Sequence, residues 1–432
     1  MIGLKELEKA KGIQNTSLFE STKNQEGVKR MPLQFEDTKF LLGLPELKVL
    51  GFKKVESGFE IAVQRKADFE LCPWCGKVST ALHSHWTSRV RDLPISGRQV
   101  TLMVTKRRFR CLGGCKPFSE GFGCFDFYQR QTKRFRDEVQ RQCAHASIEM
   151  AAERMRLGYG SVDRIYYEQA NAKAAEFKKP ELPQVLGIDE FRGAGKARYN
   201  LALTDLSNSK GAKLLNILEE KRMESFFKHC EMYTLTERES VAIIVQDMDK
   251  GLRSWTKLMF PKAFHIADKF HVTRNLLKHM ERVRKTEFGK CRNWHEKEIL
   301  KGSSYLLRKR QKDLSESQKS RIKKILEQFP LMKEAYEFKE DFMSWYDTPK
   351  RRSAAKDELE VLQQRLLQMK HFRRFNWTLK NWGEEILNYF AASYTNGFTE
   401  GMNNKIKTLK RQCYGFRSFP RFRVRTLMEC AA

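Results

Sequence analysis

Two close cysteine pairs, Cys72-Pro-Trp-Cys75 and Cys111-Leu-Gly-Gly-Cys115, constrain what this chain can fold into more than any other feature. A short Cys-x-x-Cys knuckle presents two thiolates to one ion without strain, and tetrahedral zinc needs four such soft or borderline ligands. Knuckles at the two ends of a β-hairpin close such a site. The plain alternative is four unconnected buried thiols, while a redox Cys-x-x-Cys would leave the second pair unexplained. Cys124, His83 and His85 are possible substitute ligands. Structural Zn²⁺ would stabilise a module otherwise too small for a good core. The ten cysteines are scattered over the whole chain, which fits a reducing compartment better than a disulfide scaffold.

Charge narrows the partners. The 432 residues carry 82 Lys+Arg against 53 Asp+Glu, a net +29, with 41% hydrophobic residues, enough for two or three folded cores. Such an excess on one surface attracts polyanions, above all nucleic acid, and a generic basic surface is the bland reading. No stretch approaches the ~18 apolar residues of a membrane span, and residues 1–30 lack an apolar signal core. No membrane partner is expected, and the protein is expected to stay in the compartment where it is made.

Residues 1–35 read as a loose polar leader, and 36–128 as a β-rich zinc-binding module of short apolar runs and turns. Within 129–180, Ser147–Leu157 and a stretch opened by a Ser161 cap, with Gly158-Tyr-Gly160 between them, have the shape of a helix-turn-helix that would place Arg164 on DNA. Any helical hairpin shows the same pattern. Lys178, Lys179 and Pro180 read as a linker. From 181 to 432 the texture is α/β: LPQVLGIDEF, ARYNLALTDL, GAKLLNILEE and SVAIIVQDM read as strands, with SNSKG as a hairpin turn and RMESFFKHCEMY as a helix before the fourth. Val241 to Val245 suit a strand covered on both faces. KAFHIADKFHV is a possible fifth strand, and about 272–390 reads as a long helical insertion whose charge run has a solvated face as its ordinary meaning.

An Asp inside an apolar strand is expensive to bury unless it is paired or holds a cation, and Asp189 in VLGIDEF is one. Asp247 follows VAIIVQ at a strand's C-terminal end, where open α/β sheets gather ligands. If TNGFTEGMNNKIKTLKRQC is a helix capped near Thr395 or Asn396, then Phe398, Met402, Ile406, Leu409 and Cys413 form its apolar stripe. Glu400, Asn403, Asn404, Lys407 and Arg411 share the opposite face. Two Mg²⁺ ions held by Asp189, Asp247 and Glu400 would suit phosphodiester chemistry, with Asp189 bridging both. Asp205, Asp249 and Asp268 are rivals near strand ends, and each acid singly has a capping or ion-pairing reading. Lys405, Lys407, Lys410, Arg411 and Arg417 are the candidate phosphate contacts. In RQCYGFRSFPRFRVR, stacking of the aromatics on distorted ends and structural packing stand as equal readings.

The order of zinc knuckles, helix-turn-helix, IDEF, VQDMDKGL, HIADKFHV and TNGFTEGMNNKIKTLKRQCYGFRSFPRFRVRTL resembles the DDE transposases of bacterial insertion sequences, specifically the ISL-three family, from about residue 40 to the end. That resemblance implies a multi-domain α/β chain with an RNase H-like mixed-sheet core, interrupted by the helical insertion. It carries the catalytic acids onto Asp189, Asp247 and Glu400. It also implies cleavage at element ends by water and joining of the freed 3′-OH to target DNA, in the bacterial cytoplasm and on the nucleoid. A homo-oligomer on double-stranded DNA follows by analogy, since two ends must be held together. Gln246 departs from the apolar or small residue expected before Asp247, and the LGG loop of the second knuckle has no counterpart to compare. A zinc-containing DNA-binding regulator without catalysis and a different metal nuclease are the alternatives.

Overall fold

A computed structural model describes residues 42–431 except 145, 176, 178, 195–198 and 209–210. The expected leader lies outside the described residues, as do two positions of the SNSKG turn and Lys178. The chain forms two compact units, one ending at Phe135 and the other beginning at Arg136.

The first unit is built on a sheet of β1 (Leu47–Val55), β2 (Gly58–Arg65), β5 (Leu82–Ile95) and β6 (Arg98–Phe109), in the order β1-β2-β6-β5. Inward residues of these strands, among them Val63, Val90, Val100, Leu102 and Val104, form its core with Phe125. A two-stranded ribbon, β3 (Glu70–Leu71) with β4 (Val78–Ser79), precedes β5, and β7 (Phe118–Ser119) pairs with the end of β6. The antiparallel register of β5 and β6 sets Leu82 opposite Phe109. The segments just before β5 and just after β6 therefore meet at the open end of one long hairpin.

In the second unit, β8 (Val185–Phe191), β9 (Asn200–Asp205), β10 (Lys213–Leu218), β11 (Ile243–Gln246) and β12 (Phe264–Ala267) form one sheet in the order β10-β9-β8-β11-β12. Among the first three, β9 runs antiparallel to both β8 and β10, and β11 and β12 run parallel to β8. The fourth strand starts at Ile243, so Val241 and Ala242 of the aliphatic run lie before it. Both faces are covered, which explains the near-continuous apolar strands. Leu186, Ile188, Leu203 and Ile244 pack with Phe226 and Phe260 on one face. Ala202, Leu214 and Ile217 pack with Met402, Ile406, Leu409 and Phe422 on the other. Helices from Lys269–Lys290 through Gly383–Leu387 share a separate core containing Val272, Phe338, Phe342 and Phe375.

Helices Ile148–Met155 and Tyr159–Ala174 form the helical hairpin. Ser147 caps the first by accepting from Met150 N–H. The expected Ser161 cap is not observed: Arg156 ends the first helix in a left-handed conformation, and the second starts at Tyr159 with Gly158 at its cap. The closing helix, Phe419–Cys430, packs on this hairpin through the buried Arg425, which lies 4.8 Å from the ring centroid of Tyr166 and donates to the carbonyls of Cys143 and Ala146.

Gly187 sits where β8 meets the helix Gly397–Gln412. A Cβ there would approach Thr204 Oγ1 to 2.4 Å and both Asn396 Oδ1 and Leu206 Cδ1 to 2.8 Å. Gly187→Ala should therefore destabilise the second unit by about 1–3 kcal/mol, read as a lowered denaturant midpoint; an unchanged midpoint would mean that these neighbours give way freely.

Candidate active site and zinc site

The hairpin register described above brings the knuckles into one cluster. Each of Cys72, Cys75, Cys111 and Cys115 offers a sulfur, and all four sulfurs lie within 4.8 Å of one another. Cys75 Sγ and Cys111 Sγ are 3.5 Å apart. Zinc–sulfur bonds of about 2.3 Å give a tetrahedron with edges of about 3.8 Å, so the cluster fits one zinc ion. The LGG loop has a physical reason. A Cβ on Gly113 would come within 3.2 Å of Cys75 Sγ, and Gly114 has φ +79°. Gly113 N–H donates to Cys111 Sγ at 3.2 Å. Cys124, His83 and His85 are not in the cluster; the backbone N–H of Cys124 donates to Glu46 instead, at 2.6 Å.

The acids of the second unit meet through sheet register. β11 pairs with β8 so that Gln246 lies beside Ile188, which sets Asp247 next to Asp189 at the same end of adjacent parallel strands. Gln246 itself is buried: its Oε1 accepts from Thr256 Oγ1 at 3.1 Å, while its Nε2 has no hydrogen-bond partner among the described residues.

Glu400 arrives on the helix Gly397–Gln412, whose cap residue is Asn396. Four hydrogen bonds seat this helix. Asn396 Nδ2 donates to Ile188 O at 3.0 Å, and Asn396 N–H to Asp268 Oδ1 at 3.2 Å. The Thr399 and Thr204 hydroxyls meet at 2.6 Å, and Asn403 Nδ2 donates to Asp189 Oδ2 at 2.8 Å. Met402, Ile406 and Leu409 are buried, with Phe398 and Cys413 partly so, leaving Glu400, Asn403, Asn404, Lys407 and Arg411 on the wall of a cavity of about 1090 Å³. Asp189 and Asp247 line the same cavity.

Asp189 is buried, Asp247 and Glu400 partly so. Burial raises the Asp189 carboxyl to about 6; the nearby His271 and the Glu190 N–H work against the rise, and the charges of Asp247 and Asp268 add to it. Burial likewise raises Asp247, opposed by His271 and by the N–H of Met248. For His271, burial alone would lower the imidazole, but the bond to Asp268 and the charges of Asp247 and Asp189 outweigh it and raise the group.

Beside the acids and Glu190, the cavity carries several cations. Lys407, Lys410 and Arg411 come from the Glu400 helix, and Lys250, Arg274 and Lys278 from other helices. Of the other expected phosphate contacts, Lys405 faces a different groove with Lys213 and Phe398, Arg417 lines a groove beside the helical hairpin, and Arg164 is exposed on the hairpin's second helix.

The rival acids have other partners. Asp249 caps the helix Lys250–Met259 by accepting from Leu252 N–H at 2.8 Å and pairs with Lys221 at 3.0 Å. Asp205 accepts from Ser207 N–H at 2.9 Å. Asp268 caps the helix Lys269–Lys290 and lies 3.2 Å from His271 Nδ1. His271, whose Nε2 is 3.6 Å from Asp247 Oδ2, also lines the cavity, and sequence reasoning passed over it. Its only signal is its position three residues after Asp268, one helical turn on. The aromatics of the tail mostly pack: Phe419 and Phe422 are buried and Phe416 partly so, while Arg421 and Arg423 bond Asp163 and Asn216.

Comparison with known proteins shows the family. A family model described as a transposase of the ISL3 group matches residues 186–426, more than half of the chain. One described as the zinc-finger of transposase IS204/IS1001/IS1096/IS1165 matches residues 68–115. The chain therefore belongs to the ISL3 family of transposases. It is 25% identical over 394 residues to the transposase for insertion sequence element IS1001 of Bordetella parapertussis, covering 88% of this chain and 95% of that one. A stretch of 108 residues is 31% identical to a protein of Lactococcus lactis subsp. lactis described as an ATP-dependent protease, covering 25% of this chain and 34% of that one. No helix among the described residues is long and apolar enough to cross a membrane.

Elemental analysis should find one zinc per chain, and Cys75→Ser or Cys111→Ser should abolish stoichiometric zinc and unfold the first unit's knuckles, since the site's binding energy is folding energy. Full zinc occupancy in both variants would show that the thiols act separately.

Proposed function

We propose that this transposase cuts the ends of its insertion sequence and joins them to target DNA with Asp189, Asp247 and Glu400 as the catalytic triad on an RNase H-like core. The observation that carries the reading is the meeting of the three acids on one cavity wall, from two neighbouring parallel strands and a helix on the far side of the insertion. The strand order, three antiparallel strands followed by two parallel ones, supports the core assignment.

A divalent ion fits the donor set. The ligands would be carboxylate oxygens, which suit the hard cation Mg²⁺, and the buried Oδ1 of Asn403 beside them lacks a hydrogen-bond partner. Among the described residues, only the four cysteines bring three or more ligand atoms within 4.8 Å of one another. Asp189, Asp247 and Glu400 would hold the divalent ions that phosphodiester chemistry uses. When bound, these ions would activate the attacking oxygen and stabilise the leaving oxygen. The chain's own residues do the rest. Asn403 fixes the Asp189 carboxylate, and Lys407, Lys410 and Arg411 draw the DNA phosphates into the cavity. The helical hairpin, with Arg164 exposed on its second helix, and Arg417 beside it would hold the duplex of the element end, with the zinc module as a second DNA contact. Two ends must be held together, so a homo-oligomer on DNA is part of the proposal.

Asp189→Ala, Asp247→Ala and Glu400→Ala should each lower cleavage of element-end duplexes at least about a hundredfold while leaving end binding intact; cleavage that survives all three would leave a DNA-binding regulator. Asn403→Ala should raise the magnesium needed for half-maximal cleavage by about 10–100-fold, and an unchanged magnesium profile would remove Asn403 from the positioning of Asp189. Binding should fall steeply with salt in proportion to the phosphates contacted, and a flat response would argue against the cationic cavity as the DNA surface.

A further inference from the structure

Tyr414 is 83% exposed, and among the described residues its ring has no ring–ring contact and its hydroxyl no hydrogen bond. Its backbone is as unusual as its exposure. The helix that carries Glu400 ends at Gln412, and Tyr414 occupies the left-handed position just beyond, at φ +56°. Its N–H donates to Arg411 O at 3.0 Å, and the N–H of Gly415 to Lys410 O at 2.9 Å. Helix ends of this form ordinarily place glycine at that position, because a β-carbon crowds the backbone there. Arg156 shares this conformation at another helix end, but Tyr414 adds a large ring that nothing among the described residues packs against.

Its location says what the exposed ring serves. Tyr414 and Gly415 line the acid cavity and also the adjoining groove of about 760 Å³ beside the helical hairpin. Tyr414 thus stands on the ridge between them. Lys410 and Arg411 line the acid cavity and Lys410 and Arg417 the groove, so each space that Tyr414 borders carries cations. Two more exposed rings, Trp377 and Phe270, line the acid cavity from the helical insertion, with Lys250 Nζ 4.8 Å from the Trp377 ring centroid. A paired base in a duplex has both faces stacked on its neighbours and offers no face to a side chain. Exposed rings interleaved with cations are what an unpaired strand requires: phosphates on the cations, bases on the rings.

We infer that the Tyr414 ring is a stacking platform for an unpaired nucleobase, so that the DNA reaching the acids is locally melted rather than intact duplex. This deepens the transposase reading and rests on it for the identity of the ligand as DNA. Stacking on one aromatic ring is worth about 5-fold to 100-fold in affinity per base.

The test uses the full-length protein and two fluorescent DNAs of one sequence, a blunt 30-bp duplex and a forked duplex with unpaired arms, with no divalent metal added so that nothing is cut. The unaltered protein should bind the fork about tenfold more tightly, and 2-aminopurine at the first unpaired position should be quenched on binding. Tyr414→Gly should erase both the preference, read as the ratio of fork to blunt-duplex affinity, and the quenching; Tyr414→Trp should keep both. Because glycine relieves the left-handed conformation, the thermal midpoint of Tyr414→Gly should equal or exceed that of the unaltered protein. A Tyr414→Gly protein that still prefers the fork by the original factor overturns the inference. So does one that melts well below the unaltered protein, since the ring would then be packing. Cleavage by Asp189→Ala tests the active-site reading separately, so either reading can fail alone.

Discussion

The clasp between β8 and the helix Gly397–Gln412 is the constraint on which the site depends. Asn396, Thr399 and Asn403 recur along one side of that helix and bond Ile188 O, Thr204 and Asp189 in turn. These are buried polar contacts, where losing one partner leaves the other unsatisfied at a cost of about 1–3 kcal/mol. They fix both where the helix sits and how it is rotated, which decides that Glu400 faces the cavity while Met402 and Ile406 face the sheet. Gly187 belongs to the same joint, because only a residue without a side chain lets the clasp close.

Placing Asp189 and Asp247 at the ends of neighbouring parallel strands works against folding stability. Burial raises both carboxyls, and their mutual charge adds to the rise of Asp189. The core tolerates this because the apolar strands around them are buried on both faces, each aliphatic side chain contributing about 1.5–3 kcal/mol. Lysines and arginines line the same cavity.

The zinc unit follows a simpler logic. Its sheet core is modest, and its knuckles are joined to it by the two ends of one hairpin, so the register of β5 with β6 and the four thiols support each other. The glycine pair in the second knuckle exists because a β-carbon at Gly113 would press on the sulfurs.

Much of this was legible in the sequence. Cysteine spacing announced the zinc cluster, the apolar runs announced the strands, and the polar stripe of the Glu400 helix announced the face that lines the cavity, because these signals are local and periodic. The motif order was enough to indicate the family. Other features depended on tertiary packing. Asp205, Asp249 and Asp268 look like Asp247 in the sequence, and only the fold shows the caps and ion pairs that engage them; His271 gave no signal apart from its proximity to Asp268. The basic aromatic tail is one string in the sequence but has two fates in the fold: Phe419, Phe422 and Arg425 are buried, and Tyr414 is exposed. The start of the hairpin's second helix was set by the left-handed Arg156 rather than by Ser161. Residue type and spacing determine which chemistry a chain can hold. Which acid meets which, and which ring is left free, is decided by strand register and helix rotation, which arise from contacts between residues far apart in the chain.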